Sequence, residues 1–213
     1  MGLIKINDLL NLKEGEVYWG NVPEKERPRI LEAYKNYNAE ATTGDVSIEQ
    51  ANLPLCGPDL CNPFVPFCLT ASAPLSACGI QPFDFNFGFD SCCVQCVVEP
   101  CLLPNASVTN PCDPAGPPIS GCEVAVNRVR AVGSIRATAG IFSTPNCGGG
   151  TMTSVADETF CVNNVICFTC EENPCPDFCT SIGFFFTSAF LTTNPCGSPQ
   201  ATITGFLVLP SCV

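Results

Sequence analysis

Histidine is absent from this chain of 213 residues, and lysine, tyrosine and tryptophan are absent from everything after Tyr37. Without histidine there is no Ser-His or Cys-His nucleophile and no proton shuttle of the usual kind near pH 7. The neighbouring acidic pairs Asp157/Glu158 and Glu171/Glu172 would point to opposite faces of a strand and do not converge for acid-base work. No enzyme is expected. Positive charge is scarce as well: after Leu55 only Arg128, Arg130 and Arg136 remain, against a formal net charge of −11, so no nucleic-acid partner is expected. Long apolar runs are missing. The longest, GFFFTSAFL at 183–191, is strand length and falls short of the roughly 18 apolar residues of a membrane span, so no membrane partner is expected either. MGLIKINDLLNLKEGE is broken by Asn7, Asp8 and Asn11, unlike the uninterrupted apolar stretch of a signal peptide. The chain is expected to be made in a cytosol and oxidised later.

What is abundant is sulfur and phenylalanine. All 18 cysteines and all 15 phenylalanines follow Leu55. This boundary divides the chain into an N-terminal, partly helical arm and linker (1–55) and a cysteine-rich body (56–213). A body of that size buries most of its unfolded surface without help. Each disulfide contributes about 2–4 kcal/mol, whereas a whole fold needs a net stability of about 5–15 kcal/mol. A full set of bonds from 18 cysteines therefore exceeds what folding requires. The surplus points to covalent links between subunits, chemical durability outside a cell, or thiolate ligands for a metal.

The body is expected to be mainly β, a β-sandwich or jelly-roll. In PFDFNFGFD (82–90), Phe83, Phe85, Phe87 and Phe89 share one face and Asp84, Asn86, Gly88 and Asp90 the other. Further strands are expected at 123–142, 160–170, 183–192 and 201–209. Pro- and Gly-rich turns separate them at 110–118, 144–150, 172–177 and 194–199, and three of these carry Asn-Pro-Cys. Arg128, Arg130 and Arg136 share even parity, opposite Val129, Ala131, Ile135 and Ala137, and are expected to meet carboxylates of the same subunit or of a neighbour's acidic surface.

In the arm, Asn7 or Asp8 is read as the cap of a short helix carrying Leu9 and Leu10. A second helix from Pro23 or Pro28 places Ile30, Tyr34 and Tyr37 on one face. The apolar residues Leu9, Leu10, Trp19, Ile30 and Tyr34 cannot form a core alone. They must pack on the chain's own body or dock on a neighbouring subunit, and the docking reading is carried forward.

Competing chemistries fit less well. Cys93-Val-Gln-Cys96 and Cys167-Phe-Thr-Cys170 are zinc-type C-x-x-C knuckles, but they lie far apart and use few of the thiols. The run from Asp84 to Asp90 imitates a calcium loop but puts Gln95 where the bidentate glutamate belongs. No cofactor or metal is expected. Cys92 and Cys93 are adjacent, and because a vicinal bond is strained, each is expected to bond elsewhere, one holding the core and the other reaching out. The candidates for disulfide cross-linking are Cys56, Cys61, Cys92, Cys93, Cys112, Cys175, Cys196 and Cys212. Interface charge is assigned to Arg128, Arg130 and Arg136.

The CCVQC and Asn-Pro-Cys cysteine placement, the strand RVRAVGSIRATAGIF and the layout of arm plus sandwich together resemble the cysteine-rich structural proteins of bacterial endospore surfaces, that is, exosporium lattice proteins and spore-appendage (endospore pilus) subunits. The resemblance implies a self-assembling structural protein, a disulfide-linked filament, sheath or lattice at a spore surface, with copies of itself and other spore-surface proteins as partners. Appendage subunits carry cysteines in the connector, whereas residues 1–55 have none, so any contact made by the arm is noncovalent. The alternatives are a thiolate metal-binding protein (zinc or iron-sulfur) and a virion coat subunit.

Overall fold

The alternation of phenylalanine with small polar residues is realised in a computed structural model of the chain, which describes residues 3–39, 56, 61–72, 84–108, 117–144, 148–195 and 198–212. Along Asp84–Asp90, Phe85 and Phe87 are buried while Asn86 and Asp90 face out; Phe83 lies outside the described residues. The elements in chain order are β1 (Ile4–Lys5), α1 (Ile6–Leu10), β2 (Tyr18–Trp19), α2 (Arg27–Ala39), β3 (Phe64–Ser72), β4 (Asp84–Asp90), β5 (Gln95–Val108), β6 (Ile119–Ser143), β7 (Met152–Thr169), α3 (Phe178–Ser181), β8 (Gly183–Thr193) and β9 (Pro199–Val208). They form a β-sandwich of two antiparallel sheets. One has the order β1-β4-β6-β5, with β7 on the other side of β6; the second has the order β2-β8-β9-β3.

Strand β6 organises the first sheet. Its 25 residues are long enough for β4 and β5 to pair end to end along the same edge, β4 with Arg136–Phe142 and β5 with Ile119–Val132. Between them the chain turns at Ser91–Val94, closed by a hydrogen bond from Val94 N to Ser91 O (3.0 Å). Opposite this turn stands Gly133 at φ +146, where a Cβ would lie 2.2 Å from the carbonyl oxygen of Cys93. Only glycine fits there. The buried Ser91 hydroxyl donates to Phe178 O at 2.6 Å, tying the turn to α3.

Two strands carry prolines that disguise them in the sequence. Pro66 lies in β3 and Pro100 in β5, and each strand has a ladder partner on one side only. A proline without an amide hydrogen is tolerated at such an edge. Strand β7 is bulged between its pairs with Val129 and Arg130. Beside the bulge, the Asn164 side chain donates to the carbonyls of Asn62 and Phe64 (3.0 and 3.1 Å), and Val165 O accepts from Asn62 N at 2.8 Å. The edges of the two sheets meet there.

The core is an aromatic layer between the sheets. Phe87 packs on Phe67, Phe184 and Phe186 with ring centroids 5.0, 4.8 and 5.2 Å away. Burying such a ring contributes roughly 1.5–3 kcal/mol. Inward Val129, Ala131, Ile135 and Ala137 of β6 are fully buried beneath it.

The segment expected to dock on a neighbour is seated on its own body. Ile4 pairs with Phe85, and Trp19 with Phe185, so the segment contributes a short strand to each sheet. Leu9 is buried in the main core and Leu10 packs against it. Ile30, Trp19 and Tyr34 belong to a second cluster on the outside of the β8-β9-β3 sheet, with Phe64, Phe185 and Phe206. Tyr34 lies 5.3 Å from the Phe185 ring and 5.1 Å from the Phe206 ring. The reason is supply of partners: β8 and β9 leave aromatic rings on their outer face, and the helix stripe covers them. The N-cap of α1 is Lys5, with no side-chain capping bond, instead of Asn7 or Asp8. Residues 40–55, expected as a linker, lie outside the described residues.

Candidate cross-linking site

Eight of the described cysteines are used inside the chain. The bonds are Cys56–Cys101, Cys92–Cys179, Cys96–Cys175 and Cys167–Cys212, with Cα separations of 4.9, 4.7, 5.8 and 6.1 Å, all within the span a disulfide bridges. They gather where β5 leaves the Ser91–Val94 turn and pairs with β6. Cys92–Cys179 fixes the turn to α3, whose start is capped by the Asp177 carboxylate accepting from Cys179 N at 2.9 Å. The hydrogen bond from Thr180, followed by that from the Cys179 amide, holds the Asp177 carboxyl below its ordinary value.

Four of the expected cross-linking cysteines form their bonds inside the chain. Cys56, Cys92, Cys175 and Cys212 are bonded within the chain because the fold brings a second cysteine within reach of each. Cys112 and Cys196 lie outside the described residues. Cys61 and Cys93 are exposed thiols. Of the vicinal pair, Cys92 bonds to Cys179 and Cys93 is an exposed thiol. The two C-x-x-C pairs are split, since Cys96 and Cys167 are in disulfides with other partners. Among the described residues no cluster of three or more His, Cys, Asp or Glu is placed to hold a metal ion.

The arginine stripe faces outward, opposite the buried odd-numbered residues of β6, and is satisfied inside the chain. Arg128 forms a two-pronged contact to Glu99 Oε2 (3.0 and 2.6 Å) and also donates to Cys56 O at 3.0 Å. Arg130 donates to Glu99 Oε1 at 3.0 Å and to Asn163 Oδ1. Arg136 grips Asp157, with Nε 2.8 Å from Oδ1. These carboxylates belong to the same chain: β5 and β7 flank β6 and supply Glu99 and Asp157. The Arg128 hydrogen bonds, with Arg130 adding to them, hold Glu99 below its usual value. Arg136 does the same for Asp157.

Thiols remain on the surface at Cys61, Cys68, Cys93, Cys161 and Cys170. Although Cys61 is exposed as a residue, partial desolvation of its sulfur raises the thiol above its ordinary value, against backbone hydrogen bonds at Phe168 and at Cys61 itself, which leaves less of the reactive thiolate. Cys68 and Cys161 are the two that the sequence reading passed over. Each stands outward on a strand whose neighbours point in: Phe67 and Leu69 are buried around Cys68, and Val162 is buried beside Cys161. The period of two in FVPFCLTAS carried that signal, obscured by Pro66.

The chain matches no known protein family, curated protein or solved structure. It is a disulfide-stapled β-sandwich. Among the described residues no helix is long and apolar enough to cross a membrane.

Proposed function

We propose that the chain is a self-assembling structural protein, not an enzyme, whose copies are joined by disulfides into an extracellular filament, sheath or spore-surface lattice once the producing cell lyses. One observation carries this reading: besides the four internal bonds among the described residues, the surface presents thiols at Cys61, Cys68, Cys93, Cys161 and Cys170. Cysteine is among the residue types most often buried, and stability alone gives no reason to place it repeatedly in solvent. Disulfides that persist require an oxidising setting. Copies of the chain are the main partner, with other spore-surface proteins around them; no nucleic acid, membrane or cofactor takes part.

The test is to boil native material in detergent without reductant while titrating free thiols and bound metal. High-mass species that reductant collapses to the 22.5 kDa chain, with few free thiols and no stoichiometric zinc or iron, are expected. A clean monomer band without reductant, or metal in fixed ratio to protein, would overturn the reading.

A further inference from the structure

Resting on that reading, we propose that Cys68 of one copy bonds to Cys161 of the next, so that sandwiches join head to tail through the outer faces of their two different sheets. The two sulfurs belong to one place in the fold but cannot meet within it. Phe67 and Phe160 point into the core, with ring centroids 6.5 Å apart, and the next residue on each strand, Cys68 and Cys161, points the opposite way. Their Cβ vectors therefore diverge, and cysteines so oriented cannot be bridged without moving the backbone. Each copy thus presents two halves of a bond that only a second copy completes.

The surroundings of Cys68 are neutral, and Cys161 is flanked by guanidinium groups. Cys68 sits opposite Thr204 in the ladder, with Thr70 and Thr202 forming the next rung, their hydroxyls 2.9 Å apart. Cys161 sits opposite Ser134, between Thr159, whose ladder partner Arg136 holds Asp157, and Asn163, which accepts from Arg130. A chain with a formal charge of −11 opposes its own copies at long range, and these two patches meet without setting carboxylate against carboxylate. Both cysteines are held by strand ladders, so their positions are fixed before the partner arrives. Because the bond joins two different patches, it is heterologous, and such contacts propagate into open chains or rings instead of closing as a dimer.

The chemistry balances with a small-molecule disulfide as oxidant. The Cys68 thiolate attacks it and releases one thiol. The Cys161 thiolate of the neighbour then attacks the mixed disulfide at the Cys68 sulfur and releases the second. Two protein thiols become one disulfide, and one small disulfide becomes two small thiols.

The experiment uses the full chain, reduced and then exposed to oxidised glutathione, with wild type, Cys68→Ser, Cys161→Ser and an equal mixture of the two variants run in parallel. Cross-linked bands are separated without reductant, and their linked peptides are identified by mass spectrometry. Wild type is expected to give a ladder whose bands contain the Cys68–Cys161 peptide. Each variant alone loses that peptide, and the mixture restores it in dimers but in no longer chain joined by this bond. Cys68–Cys68 or Cys161–Cys161 peptides in its place, or a wild-type ladder without the mixed peptide, would overturn this pairing and leave disulfide assembly standing. A wild type that gives no ladder would overturn both.

Discussion

Where β6 pairs with β4, from Arg136 to Phe142, the layer beneath it is aromatic; where it pairs with β5, from Ile119 to Val132, the cross-ties are sulfur. The aromatic half buries Phe85 and Phe87 against Phe67, Phe184 and Phe186 and holds no disulfide among the described residues. The other half turns no aromatic ring inward from β6: Val129 and Ala131 are buried but bring less volume, and Val98 is 39% exposed. Three of the four disulfides among the described residues tie that half to the chain beyond β7 or to the segment before β3. Hydrophobic burial scales with area, so a layer of rings holds two sheets together unaided, whereas strands that reach past the core need covalent closure of long loops. The bonds here span 45 to 87 residues, and a cross-link that closes so long a loop restricts the unfolded chain more than one that closes a short loop.

The largest effect is expected from breaking the aromatic half. Phe85→Ala should cost about 3–5 kcal/mol, and Phe85→Asp should prevent folding, because a buried unpaired charge has no partner there. Asn86→Asp, one residue away on the outer face, keeps an oxygen to accept from Gly140 N and should be mild. Denaturant unfolding of the three variants checks this, and equal tolerance of Asp at 85 and 86 would show the strand to be in another register.

A smaller and more local effect is expected in the sulfur half. Replacing Cys92 and Cys179 together by Ser should cost about 2–4 kcal/mol. Amide hydrogen exchange should then rise in residues 91–101 and 170–182 while β4 and β8 stay protected. Equal loss of protection in β4 would mean that the two halves open as one unit.

The smallest effect concerns charge at the base of β5. Glu99 is held below its ordinary value in the folded chain, so its contribution is present above the unfolded carboxyl value of about 4.3 and is lost as pH falls through the lower folded value. Glu99→Gln should therefore destabilise the protein by up to about 1 kcal/mol at neutral pH, and the difference from wild type should shrink towards acid. Stability curves at several pH values read this directly; a difference that grows as pH falls would give the interaction the wrong sign.

Local periodicity made half of the candidate site legible. The alternation around Phe85 and Phe87 and the shared parity of Arg128, Arg130 and Arg136 are properties of consecutive residues, and a strand fixes which face each takes before any partner is known. Strands β6, β8 and β9 were readable for the same reason. Strands β3 and β5 were hidden by Pro66 and Pro100, whose tolerance depends on lying at a sheet edge, and no window of sequence records an edge. By itself, then, the sequence determined a cysteine-rich mainly β body, its turn-rich punctuation and the inward faces of its clearest strands, since these follow from composition and a period of two. Only the tertiary structure decided that residues 3–39 pack on their own body, that the arginines find Glu99 and Asp157, and which cysteines are consumed and which stand in solvent. Each of these depends on two segments far apart in the chain arriving within bonding distance, and that proximity is a product of the whole fold.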